Sequence, residues 1–515
     1  SSTRQWKIWQ KSSSLAVVMP CPPEVKLTVK LQSIEKINSQ ALIIGLFEKT
    51  KTTRSESKVE GLDQSISDMV SVDGFKAGLG EVTRVLRPMG MSARELILVG
   101  LGPQEKFDED AFTRAARAAL AATRAESVSV LLSDWCLENK TEEWSVLQLA
   151  IAAGTAFEPL TEENRKLLEK RHVNIIVRQK GIALTQTAEI GQAIASAINR
   201  AKVWGNLPAN ICTPSYLADE AKKLASVKGV TVKIHDEKAA RKIGMNAFLA
   251  VAQGSREAPR FIELHYSGAG KNESPVCLVG KAITLDAGGL CLKPSAHITE
   301  MKFDMAGGAA VLAVFEAIAK EKWPINLVAL IPACENLPDG AAYKPSDVIK
   351  TLSGKTVEIT NTDAEGRLIL ADALTYASRF EPQAIIDVAT LTGAVQVALG
   401  SDISGLFVND PVLCDMVETS ADVAHDPVWA LPFGGRRFKE LIKSNVADCV
   451  NTGPRGVGGS CVAATFLSQF VDDETPWAHL DVAATAYKSG KDAHSTGRPV
   501  SLLMMLLHQM ASVAE

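Results

Sequence analysis

The stretches PVCLVGKAITL (275–285), AAVLAVFEAIAKEKW (309–323), INLVALIPA (325–333), LILADALTYASRF (368–380) and AIIDVATL (384–391) decide the fold. The first, third and fifth are short apolar runs that read as strands, while the second and fourth carry apolar residues at helical spacing. Strands that alternate with helices imply a mainly parallel central sheet covered by helices, an α/β fold. In such sheets ligands bind beyond the carboxyl ends of the strands.

Working outward toward the N-terminus, a second alternation appears: ALIIGLF (41–47), ELILVGLG (95–102), the helical EDAFTRAARAALAAT (109–123), SVSVLLSD (127–134), the helical EEWSVLQLAIAAGTA (142–156) and VNIIVRQ (173–179). The segment from Ala188 to Trp204 is again helical in spacing and runs into the turn-rich NLPANICTPS (206–215). The chain therefore divides into a leader at 1–18, a smaller N-terminal α/β domain at 19–187, a connecting helix at 188–205 and a larger C-terminal catalytic domain at 206–515. The leader carries Arg4, Lys7, Lys11 and several serines but no acidic residue, a composition shared by transit peptides and by leaders added for expression.

Composition removes several function classes. At 515 residues, 46% hydrophobic and 22% charged, the chain exceeds one core's usual reach and can bury two. Lys plus Arg at 55 against Asp plus Glu at 59 provide no overall basic field, which argues against nucleic acid as a partner. The longest apolar run, near Leu502–Leu507, is far below the roughly 20 residues that span a bilayer, which argues against a membrane partner. Nine cysteines without a CxxC pair read as free thiols in a reducing compartment, hence a cytoplasmic expectation. GxSxG and HExxH are absent from the sequence, GLG at Gly100 lacks a third Gly, and GAGK at Lys271 lacks the phosphate-loop spacing.

Charged residues in the second domain fall where apolar strands stop and glycines begin. Lys281 and Asp286 lie in GKAITLDAGG, Lys293 just after, Asp304 in MKFDMAGG, and Asp363, Glu365 and Arg367 in NTDAEGR. Taken singly, an Asp near a turn is a cap and Lys281 a solvated lysine. Taken together, several acids in one crevice would repel each other unless divalent cations were held between them, and two such cations could activate a water and polarise a carbonyl.

NTDAEGRLILADAL (361–374) closely resembles the signature of the leucyl aminopeptidase family, the hexameric two-metal peptidases, as do GKAITLDAGGLCLKPS (280–295), DMAGGAAVL (304–312), PACEN (332–336), KPSDV (344–348), VATLTGA (388–394) and HLDVA (479–483). The resemblance runs from about Asn206 to Leu507, and Ala282, Leu285 and Ala287 depart from the family's usual Gly, Phe and Ser. It implies that Asp286 and Glu365 bridge two divalent metals, zinc or manganese. Asp363 would bind the more exchangeable ion, and Lys281 and Asp304 the tighter one. It further implies that Lys293 steadies the developing oxyanion and that Arg367 holds a bicarbonate acting as general base.

The activity that follows is removal of N-terminal residues, leucine and other apolar ones above all, from peptides with a free N-terminus, through a hydroxide bridging the metals. The family's pocket for the first side chain falls on Met301, Thr390, Gly393, Ala483 and, where many relatives have Met, Ala486. The family assembles as homohexamers, and a hexamer is the expectation here. His479 in HLDVA reads as a core or supporting histidine. The rival reading on the same fold is a non-catalytic oligomeric or DNA-binding protein, which the complete charged set argues against.

Overall fold

The computed structural model describes residues 23–48, 74–88, 91–132, 135, 137–157, 161–178 and 181–513; the leader, Cys21 and Cys136 lie outside them. The described residues form two compact units, those up to Asn199 and those from Arg200 onward. A 25-residue helix, Ile182–Asn206, carries the chain from one to the other.

The N-terminal unit is built on strands β1 (Lys26–Lys30), β2 (Ala41–Phe47), β3 (Val82–Leu86), β4 (Glu95–Gly102), β5 (Ser127–Leu131) and β6 (His172–Ile176). They lie in the order β1-β6-β5-β2-β4-β3, and all neighbours run parallel except β3 and β4. Its helices start where short polar side chains satisfy free amides: Asp108 accepts from Ala111 N at 2.9 Å, and Thr141 from Trp144 N at 3.2 Å. Gly45 has no side chain because Trp135 takes the space, a Cβ there meeting the indole at 2.5 Å.

The C-terminal unit carries a nine-stranded sheet of β7 (Val230–His235), β8 (Arg260–Ser267), β9 (Val276–Gly280), β10 (Ala282–Asp286), β11 (Asn326–Asn336), β12 (Ala384–Ala389), β13 (Ser404–Val408), β14 (Val428–Ala430) and β15 (Trp477–Asp481). The order is β14-β13-β15-β12-β9-β11-β8-β7, with β10 continuing along β11 beyond the end of β9. The centre, β15-β12-β9-β11, is parallel. Antiparallel pairs appear toward the edges, β8 with β11 and β7 on one side and β13 with β15 on the other. The helices Ala306–Glu321 and Gly366–Ala377 are buried along nearly their whole length, as coverage of both faces of a parallel sheet requires. Among the described residues no helix is long and apolar enough to cross a membrane, and the seven described cysteines are all free.

Candidate metal centre

The centre forms at the carboxyl ends of β9, β10 and β12. Three glycines let backbone press on backbone there. A Cβ on Gly307 would lie 2.2 Å from Val388 O, one on Gly308 2.7 Å from Ala282 Cβ, and one on Gly280 2.7 Å from Gly308 Cα. The start of helix Ala306–Glu321 is thereby seated on the strands, and Gly308 N donates to Lys281 O at 2.7 Å. Asp304, in the 3-10 segment Thr299–Met305 that leads into this helix, comes to rest against Lys281.

Lys281 is 2% exposed. Its Nζ lies 2.7 Å from Asp304 Oδ1 and 2.9 Å from Glu365 Oε1, and donates to Thr390 O at 2.8 Å. Gly366 backs it, since a Cβ there would meet Lys281 Cε at 2.5 Å. Thr390 Oγ1 donates to Asp304 Oδ1 at 2.8 Å, while Asp304 Oδ2 is buried with no hydrogen-bond partner.

Asp286 closes β10. After it the chain reverses through Gly288 and Gly289, whose left-handed φ values of +90° and +64° favour glycine. Asp286 Oδ1 accepts from Gly288 N at 2.9 Å and from Asn336 Nδ2 at 2.8 Å. Lys293 Nζ stands 2.9 Å from Asp286 Oδ2 and 2.7 Å from Asp363 Oδ1. Oxygens of Asp286, Asp363 and Glu365 all lie within 4.8 Å of one another, a spacing that could hold a metal ion. Arg367, one residue into helix Gly366–Ala377, donates from Nη1 to Asn451 O at 2.8 Å, and its buried Nε has no partner.

Four carboxylates thus face two ammonium groups in a buried site, and burial together with the neighbouring charges shows in their acidities. Burial, with Glu365 and Asp363 adding to it against Lys293 and Lys281, pushes Asp286 up to about 7. Asp304 and Asp363 are raised by burial as well, despite the pull of Lys281 and Lys293. Burial works against the ionised Glu365, but Lys281 and Lys293 outweigh it and hold it below the usual carboxylate range. Burial works against both charged lysines, but the surrounding carboxylates outweigh it and hold them above their ordinary value. Protons shared among crowded carboxylates are what a divalent cation replaces, so the donor set fits hard cations.

Of the residues assigned to the pocket by resemblance, Thr390 stands in the turn after β12, Gly393 opens the helix Gly393–Leu399 that follows it, Ala483 stands in the turn after β15 and Met301 in the segment that carries Asp304. Gly393 is exposed and Met301 and Ala483 are partly exposed, whereas Ala486 has no exposed surface. Sequence reasoning passed over Asn336, Asn451 and Asp481, although Asn336 and Asp481 stand inside PACEN and HLDVA. His479 is fully buried, with Nδ1 2.6 Å from Asp387 Oδ1.

Residues 199–504 match the model of the cytosol aminopeptidase family, catalytic domain, and residues 43–157 match that family's N-terminal domain. The chain belongs to the cytosol aminopeptidase family. Similar curated proteins include the probable cytosol aminopeptidases of Methylobacillus flagellatus, 39% identical over 95% of this chain and 100% of that one, and of Dechloromonas aromatica, 42% identical over 95% and 99%. Among solved structures, a tomato leucine aminopeptidase mutant superposes with a TM-score of 0.82 at 30% identity, covering 95% of this chain and 97% of that one. A bottromycin maturation enzyme in complex with Mn gives 0.79 at 32% identity, covering 92% and 100%. As a member of this cytosol aminopeptidase family, the protein is a metal-dependent aminopeptidase, a peptidase hydrolase whose larger unit is the catalytic domain.

Proposed function

We propose that this enzyme removes leucine and other apolar residues from the free N-terminus of peptides with the help of two divalent metal ions. The observation that carries the reading is the convergence of Asp286, Asp363 and Glu365 oxygens within 4.8 Å of one another, beside Lys281 and Asp304. Asp286 and Glu365 would be shared between the ions, Asp363 would serve the exchangeable one, and Lys281 with Asp304 the tighter one. Bound there, the ions would supply Lewis acidity toward the scissile carbonyl and lower the pKa of a water. Manganese is the first ion to try, since a similar enzyme is in complex with it; zinc is the alternative.

The chain's own residues do the rest. Lys293 presents a permanent ammonium at the carboxylate cluster, suited to donate to oxygen as negative charge grows on it. Arg367 is held by Asn451 O and keeps a buried N–H without a partner, although burial, opposed by Glu365 and Asp481, lowers its pKa to about 10. A bicarbonate bound there would complete the donor and could move a proton from nucleophile to leaving amine. Thr390, Gly393, Ala483 and Met301 offer small or apolar surface to the first side chain, with no charge to meet Lys or Asp.

We place the enzyme in the cytoplasm, in keeping with its free thiols and the names of its relatives, and read it as a homohexamer; light scattering at the 55.1 kDa of one chain would refute the latter. The activity is tested by comparing leucine amide with N-acetyl-leucine amide in Mn-containing buffer. Cleavage of the first alone is expected, and equal cleavage of both would exclude an aminopeptidase.

A further inference from the structure

Asp481 ends β15 and is fully buried. Its Oδ1 accepts the amides of Leu391 at 3.1 Å, Thr392 at 3.3 Å and Ala483 at 3.3 Å, and its Oδ2 accepts the Thr392 hydroxyl at 2.6 Å. Thr392 Oγ1 in turn accepts from Val395 N at 3.2 Å and so caps helix Gly393–Leu399. Four donors converge on one side chain, which only an acceptor-only group can satisfy in full. The donors come from two turns: the one after β12, which includes Leu391 and Thr392, and the one after β15, which includes Ala483. These strands are neighbours, with Ala389 opposite Asp481.

The first of these turns is also fastened to the metal centre, because Thr390 O accepts from Lys281 Nζ and Thr390 Oγ1 donates to Asp304 Oδ1. Leu391 and Ala483 in the two turns, and Gly393 at the start of the helix, keep exposed surface beside the strap. We propose that Asp481 is a positioning residue that fixes the two-turn wall against which the substrate's first side chain packs, and thereby sets the enzyme's preference for apolar over small residues. The proposal rests on the pocket assignment above. It asks of Asp481 no contact with substrate; its role is to hold Thr390, Gly393 and Ala483 at one spacing.

The test measures kcat and KM for leucine and glycine amides in the Mn-loaded wild type, Asp481→Asn and Asp481→Ala, with melting temperature and bound Mn recorded for each. Asn retains the Oδ1 that collects three amides, so its leucine-to-glycine ratio should stay within about threefold of wild type. Asp481→Ala should cut that ratio by roughly tenfold or more, through leucine rather than glycine, with Mn content unchanged. Should Asp481→Ala not accumulate as folded protein, Thr392→Ala removes the Oδ2 partner and the helix cap and should move the ratio in the same direction. A lowered melting temperature with an unchanged ratio would overturn the proposal and leave Asp481 a structural strap. A wild type that cleaves leucine and glycine amides equally would instead overturn the pocket assignment itself, and the proposal with it.

Discussion

Lys281 Nζ lies 2.9 Å from Glu365 Oε1, which joins the junction of β9 and β10 to the start of helix Gly366–Ala377 through a pair that is almost wholly buried. A buried lysine beside several acids holds those acids together, and once deprotonated it would offer a nitrogen donor to a cation.

Replacing Glu365 by Gln removes the charge that a ligand shared between two ions, the role proposed for it, would need, while keeping its shape. Lys281 retains Asp304 and Thr390 O, so the fold should survive. Circular dichroism should match wild type, and turnover of leucine amide should fall below a few per cent.

Gly366→Ala puts a methyl where Lys281 Cε and Nζ now are, at 2.5 and 2.7 Å from the new Cβ. The lysine is fastened at its far end and cannot swing away without leaving Asp304. Since a misplacement of about 1 Å can cost roughly 10²-fold in rate, activity should drop by at least tenfold, and bound metal should fall in elemental analysis.

Lys293→Ala should lower kcat by roughly 10²–10³ with a smaller change in KM, the scale for losing one oxyanion donor. A change confined to KM would make Lys293 a binding group.

Arg367→Ala should give a slower enzyme that no longer responds to added bicarbonate. Activity of the wild type after thorough degassing, with and without bicarbonate, supplies the comparison. Indifference of the wild type would remove bicarbonate from the scheme.

Ala486 has no exposed surface, so a larger residue there acts by displacing its surroundings. Ala486→Met should lower stability by about 1–3 kcal/mol, the usual cost of overpacking, and reduce the ratio of phenylalanine to leucine amide cleavage. An unaltered ratio would detach position 486 from the pocket.

The parallel centre of the catalytic sheet was legible because β9, β11 and β12 are continuous apolar runs separated by helical stretches. The edges were not: β7, TVKIH within Val230–His235, alternates like a strand of any sheet, and its antiparallel pairing with β8 depends on a register no local pattern encodes. Asp363, Glu365 and Arg367 were readable because they fall at alternate positions within one short motif. Asn336 and Asp481 act on Asp286 and on the turn at Leu391 across 50 and 90 residues of chain, and a residue type alone does not say which distant amide it meets. Burial separated Ala486 from Gly393 in the same way, since both are small residues in the sequence and only packing distinguishes them.

The central claim, that the acidic cluster is a metal centre on which peptide cleavage depends, is tested most directly by stripping the enzyme with a chelator and titrating Mn back while following leucine amide hydrolysis. Activity should vanish on stripping and return to a plateau at two equivalents of metal per chain; a stripped, metal-free enzyme that still cleaves leucine amide at the original rate would contradict the account.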